Sequence, residues 1–372
     1  ELRLEELSQK EQKLINILDF AEIEKNITVV SITNTPKDRK EIARAFIAKS
    51  VYNLQTTRDL IDRLHHDRTL RVLCGWRYKN DIPSESKFSR VFKELSKMKI
   101  AQKTHKQFIE KYLKDKIFFY NATDSTKIPL REKPVKKEKI EKVKHKVGRP
   151  KKGEIREPIK PEILKRQKEM QSVEEKLTLV SMDCGVGIKQ NSKGNREVWI
   201  GGKLHISVVD GDIPVTAFYS GANVHDSSVA LPLMQETSKR VNYFYDLQDA
   251  GYDANIIREF STKLGHRPII DINPKNSKEL KAKIELIKHE SKTFKYLNQN
   301  LNCDEEHYNQ RSMVERVNKY LKDDFGCDKI YYQGATKVAS VLAFCKYGFR
   351  FTTRHFIYLY LSEFKTCNLT NR

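Results

Sequence analysis

Four residues near the C-terminal end concentrate the chemistry of this chain: Tyr308, Arg311, Glu315 and Lys322. At about 100° per residue, their side chains fall within an arc of about 60° on a helix. Met313, Val314, Val317, Tyr320 and Leu321 fill the opposite side. The pattern predicts one helix that packs through one face and presents a carboxylate between cations on the other. A solvated charged face could carry the same spacing. A carboxylate between an arginine and a lysine, however, suits a metal ion that must meet a phosphodiester. Two-metal transfer at phosphorus needs carboxylates converging on ions about 3.5–4 Å apart. Oxygen ligation suits Mg²⁺, with Mn²⁺ as a substitute.

Two further acids sit where strands are predicted to end. Asp124 follows the β-branched and aromatic run Ile117–Thr123 and precedes Ser125-Thr126. Asp249 follows the strand-like Val241–Leu247, and Gly251 permits a tight turn there. Asp124, Asp249 and Glu315 are therefore the candidate catalytic and metal-binding residues. Asp183, behind the strand-like Leu177–Met182, competes with Asp124. Asp246 and Asp253 compete with Asp249, which the Gly251-Tyr252 context favours.

The elements that must position these acids follow from periodicity. Residues 1–115 read as successive helices: Ile42, Phe46, Ile47 and Val51 recur at helical spacing, and Thr56 with Asp59 forms a capping box. Ser84 is the expected N-cap of a helix to Met98, with Phe88, Val91, Phe92 and Leu95 inside and Lys87, Ser89, Arg90 and Lys93 outside. This is the pattern of a helix-turn-helix reader, with Lys87 and Arg90 as candidate DNA contacts; an ordinary bundle with a basic exterior would look similar. Strands are then expected at Ile117–Thr123, Leu177–Met182, Trp199–Val209, Pro214–Tyr219, Val241–Leu247 and Ile269–Asn273, with a helix from Asp226 to about Arg240. Apart from one strand too many, with Leu177–Met182 the expected extra, this is the order of an RNase H-like α/β fold: a mixed sheet with flanking helices. The expected division is a helical DNA-binding domain (1–115), a first catalytic strand (116–130), a flexible basic insertion (131–175), the rest of the catalytic domain (176–335) and a helical C-terminal segment (336–372).

Composition narrows the partner. The 372 residues exceed one ordinary core. The 70 Lys and Arg against 49 Asp and Glu give a net charge of +21, which supports polyanion binding rather than folding. Residues 131–170 hold 16 Lys or Arg against 7 Glu. Within them, Val147-Gly148-Arg149-Pro150-Lys151-Lys152 resembles an AT-hook core, making Arg149 a candidate minor-groove contact; a loop held by phosphates alone would serve equally. The apolar stretch Val338–Leu361 is broken by Lys346, Arg350 and Arg354, so a buried helix is expected there instead of a membrane span. Six cysteines without a CxxC pair fit reduced thiols and no structural zinc, and no signal peptide is visible, so a cytoplasmic, nucleoid-associated protein is expected.

Taken together, the motifs resemble the DDE transposases of bacterial insertion sequences. Tyr308, Arg311, Glu315 and Lys322 match their Y-x2-R-x3-E-x6-K signature, and Asp124-Ser125-Thr126 and Asp249-Ala250-Gly251-Tyr252 match the first and second acids. Trp199-Ile200-Gly201-Gly202-Lys203-Leu204-His205 is similar to a W-x-G-Y-K-x-H strand motif, with Gly202 where Tyr is common. Ala222–Ser227 is similar to a helix-start motif. The resemblance implies end cleavage by a metal-activated water, attack of the freed 3′-hydroxyl on target DNA, and a homodimer on double-stranded DNA. Arg311 and Lys322 would hold phosphates and Tyr308 would stack on a base or bond a phosphate, or else fill the core. Lys203 and His205 are expected to be strand-exposed and structural. A nuclease of the same fold, or a non-catalytic DNA-binding descendant, would share these residues. Only 65 residues separate Asp249 from Glu315, too few for a large inserted domain.

Overall fold

A computed structural model describes residues 7–27, 37–135, 163–190, 194–274, 277–279, 281–286, 289 and 303–350. The first part is helical: α1 (Gln9–Ala21), α2 (Arg39–Val51), α3 (Thr57–His66), α4 (Arg68–Cys74), α5 (Glu85–Lys97) and α6 (Ile100–Leu113). Its stops and starts have local causes. Thr56 and Asp59 close the capping box before α3, Asp67 accepts from the Leu70 N–H to open α4, and Gly75 ends α4 at φ 112°. The expected inward residues of α2 and α5 are buried. Lys87 is an exception to the outward set: it is half-buried and ion-paired with Asp38.

The sheet comprises β1 (Ile117–Pro129), β2 (Gly185–Gln190), β3 (Arg196–Val209), β4 (Ile213–Gly221), β5 (Asn242–Gln248) and β6 (Arg267–Ile270). β1 pairs antiparallel with β3 on one side and parallel with β5 on the other; β6 runs parallel beside β5, and both β2 and β4 pair with β3. β3 is long enough to serve two partners, β2 along Arg196–Gly201 and β4 along Gly202–Val209. Between these strands lie α7 (Ile163–Glu169), α8 (Val173–Thr178), α9 (Ser227–Arg240) and α10 (Asn255–Lys263), followed by α11 (Cys303–Asn309), α12 (Ser312–Asp323) and α13 (Ala335–Arg350).

Several expectations are corrected. Residues 177–182 form no strand: α8 runs into them, and the partner of β3 is instead β2, where two glycines hid the strand pattern. β1 continues through Asp124 to Pro129, so this acid lies within a strand rather than at its end. The one helix drawn through Tyr308 and Lys322 is two, broken between Asn309 and Ser312, and Tyr320 is 47% exposed rather than packed. Lys203 and His205 are not strand-exposed; His205 is fully buried.

α12 packs through Met313, Val314, Val317 and Leu321 against a cluster that includes Ala122 and Ile128 of β1 and Leu204 and Ile206 of β3. Each such buried side chain stabilises by about 2 kcal/mol, which fixes the helix across the first strand. The same cluster runs into the N-terminal helices through α13, where Phe344 lies 5.8 Å from Phe46 and 6.2 Å from Phe92. Among the described residues no helix is long and apolar enough to cross a membrane.

Candidate active site

Parallel pairing sets Thr123 beside Gln248, so Asp124 and Asp249, one residue further along each segment, come side by side. Strand neighbours are about 4.8 Å apart. Burial pushes the Asp124 carboxyl up to about 6; Asp249 adds to the rise, while the Ser125 N–H, Arg311 and Lys189 oppose it. Burial likewise raises Asp249, with Asp226 adding to the rise, against a 3.0 Å hydrogen bond from the Gly251 N–H and the charges of Arg311 and Lys189. Both acids are half-buried, and at each of them the loss of water works against the charged form.

α12 crosses above this pair. The Asn318 amide donates to Asp124 Oδ2 at 3.2 Å, and its own buried Oδ1 has no partner among the described residues. One turn earlier, the Glu315 side chain is 54% exposed and accepts from Arg311 Nη2 at 2.7 Å. Arg311 lies 5.5 Å from the Tyr308 ring, and its guanidinium is bound more strongly by Tyr308, Glu315 and Asp124 than burial disfavours it. Tyr308 also donates its hydroxyl to Asp271 at 3.2 Å. Two of the three expected acids are thus brought together. The third is on the crossing helix but held by arginine, and no group of three His, Cys, Asp or Glu among the described residues is placed to hold a metal.

The rival acids are engaged elsewhere. Asp246 is fully buried and accepts from Asn121 Nδ2 at 2.9 Å and from the Ser261 hydroxyl. Asp253 pairs with Arg258 at 2.9 Å and accepts from the Asn273 N–H. Asp183 is exposed and accepts from the neighbouring Ser181 hydroxyl at 3.1 Å.

Three residues around the acids were not singled out from sequence. Asn318 sits one helical turn past Glu315, a spacing that could have flagged it. Tyr252 is fully buried; burial raises its hydroxyl, as do Asp226, Asp124 and Asp249, and its oxygen has no partner among the described residues. Asp226, read only as a helix cap, accepts from Lys203 Nζ at 2.9 Å, while Lys203 also donates to the Val224 carbonyl at 3.0 Å. His205, its Nε2 2.8 Å from the Ser220 hydroxyl, is pushed down to about 4 by burial and stays neutral. Gly202 also has a cause: a Cβ there would meet the Tyr219 ring at 2.2 Å, so an aromatic from β4 fills the space that a side chain at 202 would need.

Of the expected DNA contacts, Arg90 is exposed on α5, Lys322 is half-buried on α12, and Arg149 lies outside the described residues. The sequence model of the transposase DDE domain matches residues 121–345, and that of a second transposase domain, of otherwise undefined role, matches residues 3–94. No curated protein and no solved structure matches. The chain belongs to the DDE transposases of insertion sequences, enzymes of DNA transposition that work with a divalent metal.

Proposed function

We propose that Asp124, Asp249 and Glu315 are the catalytic carboxylates, that they hold Mg²⁺ (or Mn²⁺), and that the protein cuts DNA at transposon ends and joins the freed 3′-hydroxyl to target DNA. The observation that carries this reading is the half-buried Asp124 carboxylate, bonded at 3.2 Å by Asn318 of the helix that bears Glu315 and close enough to Asp249 to feel its charge. These oxygen donors fit a hard divalent ion. When bound, such an ion supplies a nucleophile of lowered pKa and steadies the leaving oxygen.

The chain's own residues do the rest. A DNA phosphate competes with Glu315 for the Arg311 guanidinium, since Arg binds phosphate and carboxylate through the same fork. Glu315, released, turns toward Asp124 and Asp249. Asn318 keeps Asp124 oriented, Lys322 holds the adjacent phosphate, and Tyr308 supports Arg311 from below. Arg90 on α5 contacts the duplex through the helical N-terminal part, and two copies bring two ends together.

The test is cutting of duplex DNA bearing the element's own ends, with Mg²⁺ present. Glu315→Gln should bind that DNA and leave it uncut. Normal cutting by this variant would remove α12 from the chemistry.

A further inference from the structure

β2 and the first half of β3 pair as a two-stranded ribbon, with Lys189 directly opposite Glu197. Register places Gly187, Lys189, Glu197 and Trp199 on one face, and Trp199 covers Gly187 so closely that a Cβ there would sit 2.3 Å from the indole. The Glu197 carboxylate is ion-paired with Lys127 of β1. Lys127 lies three residues past Asp124, about 10 Å along β1 and on its other face, so Lys189 and Lys322 are what link the cluster to the candidate acids. Lys322 of α12 faces the same place: burial lowers its ammonium, and Lys127 and Lys189 push in the same direction against Asp328. Glu197, half-exposed, is correspondingly held below the usual carboxylate range, first by Lys127 and further by Lys189 and Lys322.

Lys127 thus contacts the Glu197 carboxylate, Lys189 lies across the ribbon from it, and Lys322 adds a third positive charge felt there. Glu197 answers Lys127 and Lys189, and Asp328 answers Lys322, so the cluster keeps a net positive charge that a further anion can neutralise. The Lys189 charge also reaches both Asp124 and Asp249, so the cluster adjoins the candidate acids. A nucleic-acid backbone brings such anions in a row, and an acidic protein segment is the other class that would answer.

We propose that Lys127, Lys189 and Lys322 form a seat for a DNA backbone phosphate beside the candidate acids, and that Glu197 occupies it as a stand-in until DNA displaces it. The inference rests on the reading of Asp124 and Asp249 as the cutting site, and adds Lys127, Lys189 and Glu197 to the residues that address the substrate.

The test measures binding of the full chain to a labelled duplex across a salt series without divalent metal, so that it is independent of cutting. Lys189→Gln should weaken binding and flatten the salt dependence by about 0.9 in log–log slope, the value of one lost phosphate contact, and Lys189→Arg should restore it. Glu197→Gln should act oppositely and tighten binding several-fold at low salt. Lys189 is exposed and Glu197 half-exposed, so both variants should melt as the wild type does. Unchanged slope in Lys189→Gln, or weaker binding in Glu197→Gln, overturns the seat. Tighter binding of an acidic peptide than of the duplex, lost in Lys189→Gln, would also overturn it in favour of a protein partner. Failure of the cutting site itself would show differently, as normal cleavage by Asp124→Asn with these binding shifts intact.

Discussion

Asn318 donates its amide to Asp124 Oδ2 at 3.2 Å and so latches the helix that bears Glu315 to the strand that bears the first acid. The bond crosses 194 positions of sequence, and it fixes which side of Asp124 remains open. Asn318→Ala should cost about 1 kcal/mol of stability, the worth of one hydrogen bond to a charged or partly charged group. Cleavage should fall further than that through loss of alignment, with DNA affinity unchanged. Urea unfolding and a single-turnover cutting assay separate the two effects.

Asp124 gives a prediction with a definite sign. Its folded pKa is raised from 3.8 to about 6, so its contribution to stability is fully present below the unfolded value and lost as pH rises through about 6. Asp124→Asn should therefore melt higher than the wild type at neutral pH, by the equivalent of about 1–2 kcal/mol. The gain should vanish toward pH 4. A variant that melts lower at neutral pH would contradict a carboxylate whose loss of water outweighs its partners.

The same proton competes with metal. Cleavage should decline as pH falls below about 6, because a protonated Asp124 offers a weaker ligand. Raising the divalent-ion concentration should move that decline to lower pH. A pH–rate profile at two Mn²⁺ concentrations would reveal the shift, and superimposable profiles would argue against Asp124 as a ligand.

Arg311 and Glu315 make a prediction in which two readouts diverge. Arg311→Ala frees the carboxylate from its 2.7 Å ion pair, so metal binding in the absence of DNA should tighten while DNA binding weakens. Parallel titrations with Mn²⁺ and with duplex DNA would test this. Equal losses in both would show that Arg311 merely supports the fold.

Lys203 and Asp226 form a pair with little solvent, their side chains 16% and 31% exposed. Lys203→Met leaves Asp226 without its cation and should destabilise by about 2 kcal/mol, less than for a fully buried pair. Restoring neutrality with Asp226→Asn in the same chain should recover much of the loss, as read by urea unfolding.

How much of this was legible in sequence depended on the kind of signal. Strongly periodic elements were: α2, α3, α5, α9 and β3 stand close to where apolar spacing and caps put them. β2 was not, because Gly185 and Gly187 carry no β-preference and its only two apolar residues, Val186 and Ile188, are exposed, too short a run to mark a strand. The three candidate acids were proposed from turn chemistry and spacing, which are local, and Asp124 nonetheless lies mid-strand rather than at a strand end. The Arg311–Glu315 pairing is also local, i to i+4, but the break after Asn309 that puts Tyr308 on a separate helix was not disclosed by the apolar stripe. The roles of Asn318, Tyr252 and Asp226 arise only from long-range packing, and the burial of His205 came from the sheet having a covered second face.

The central claim is that Asp124, Asp249 and Glu315 form one site for divalent ions. Calorimetric titration of the full chain with Mn²⁺ at neutral pH addresses it most directly, comparing the wild type with Asp249→Asn and Asp183→Asn. We expect binding at least about tenfold weaker in Asp249→Asn, the usual scale for losing one first ligand or its support, and unchanged binding in Asp183→Asn. Wild-type affinity in Asp249→Asn, or a loss confined to Asp183→Asn, would contradict the assignment.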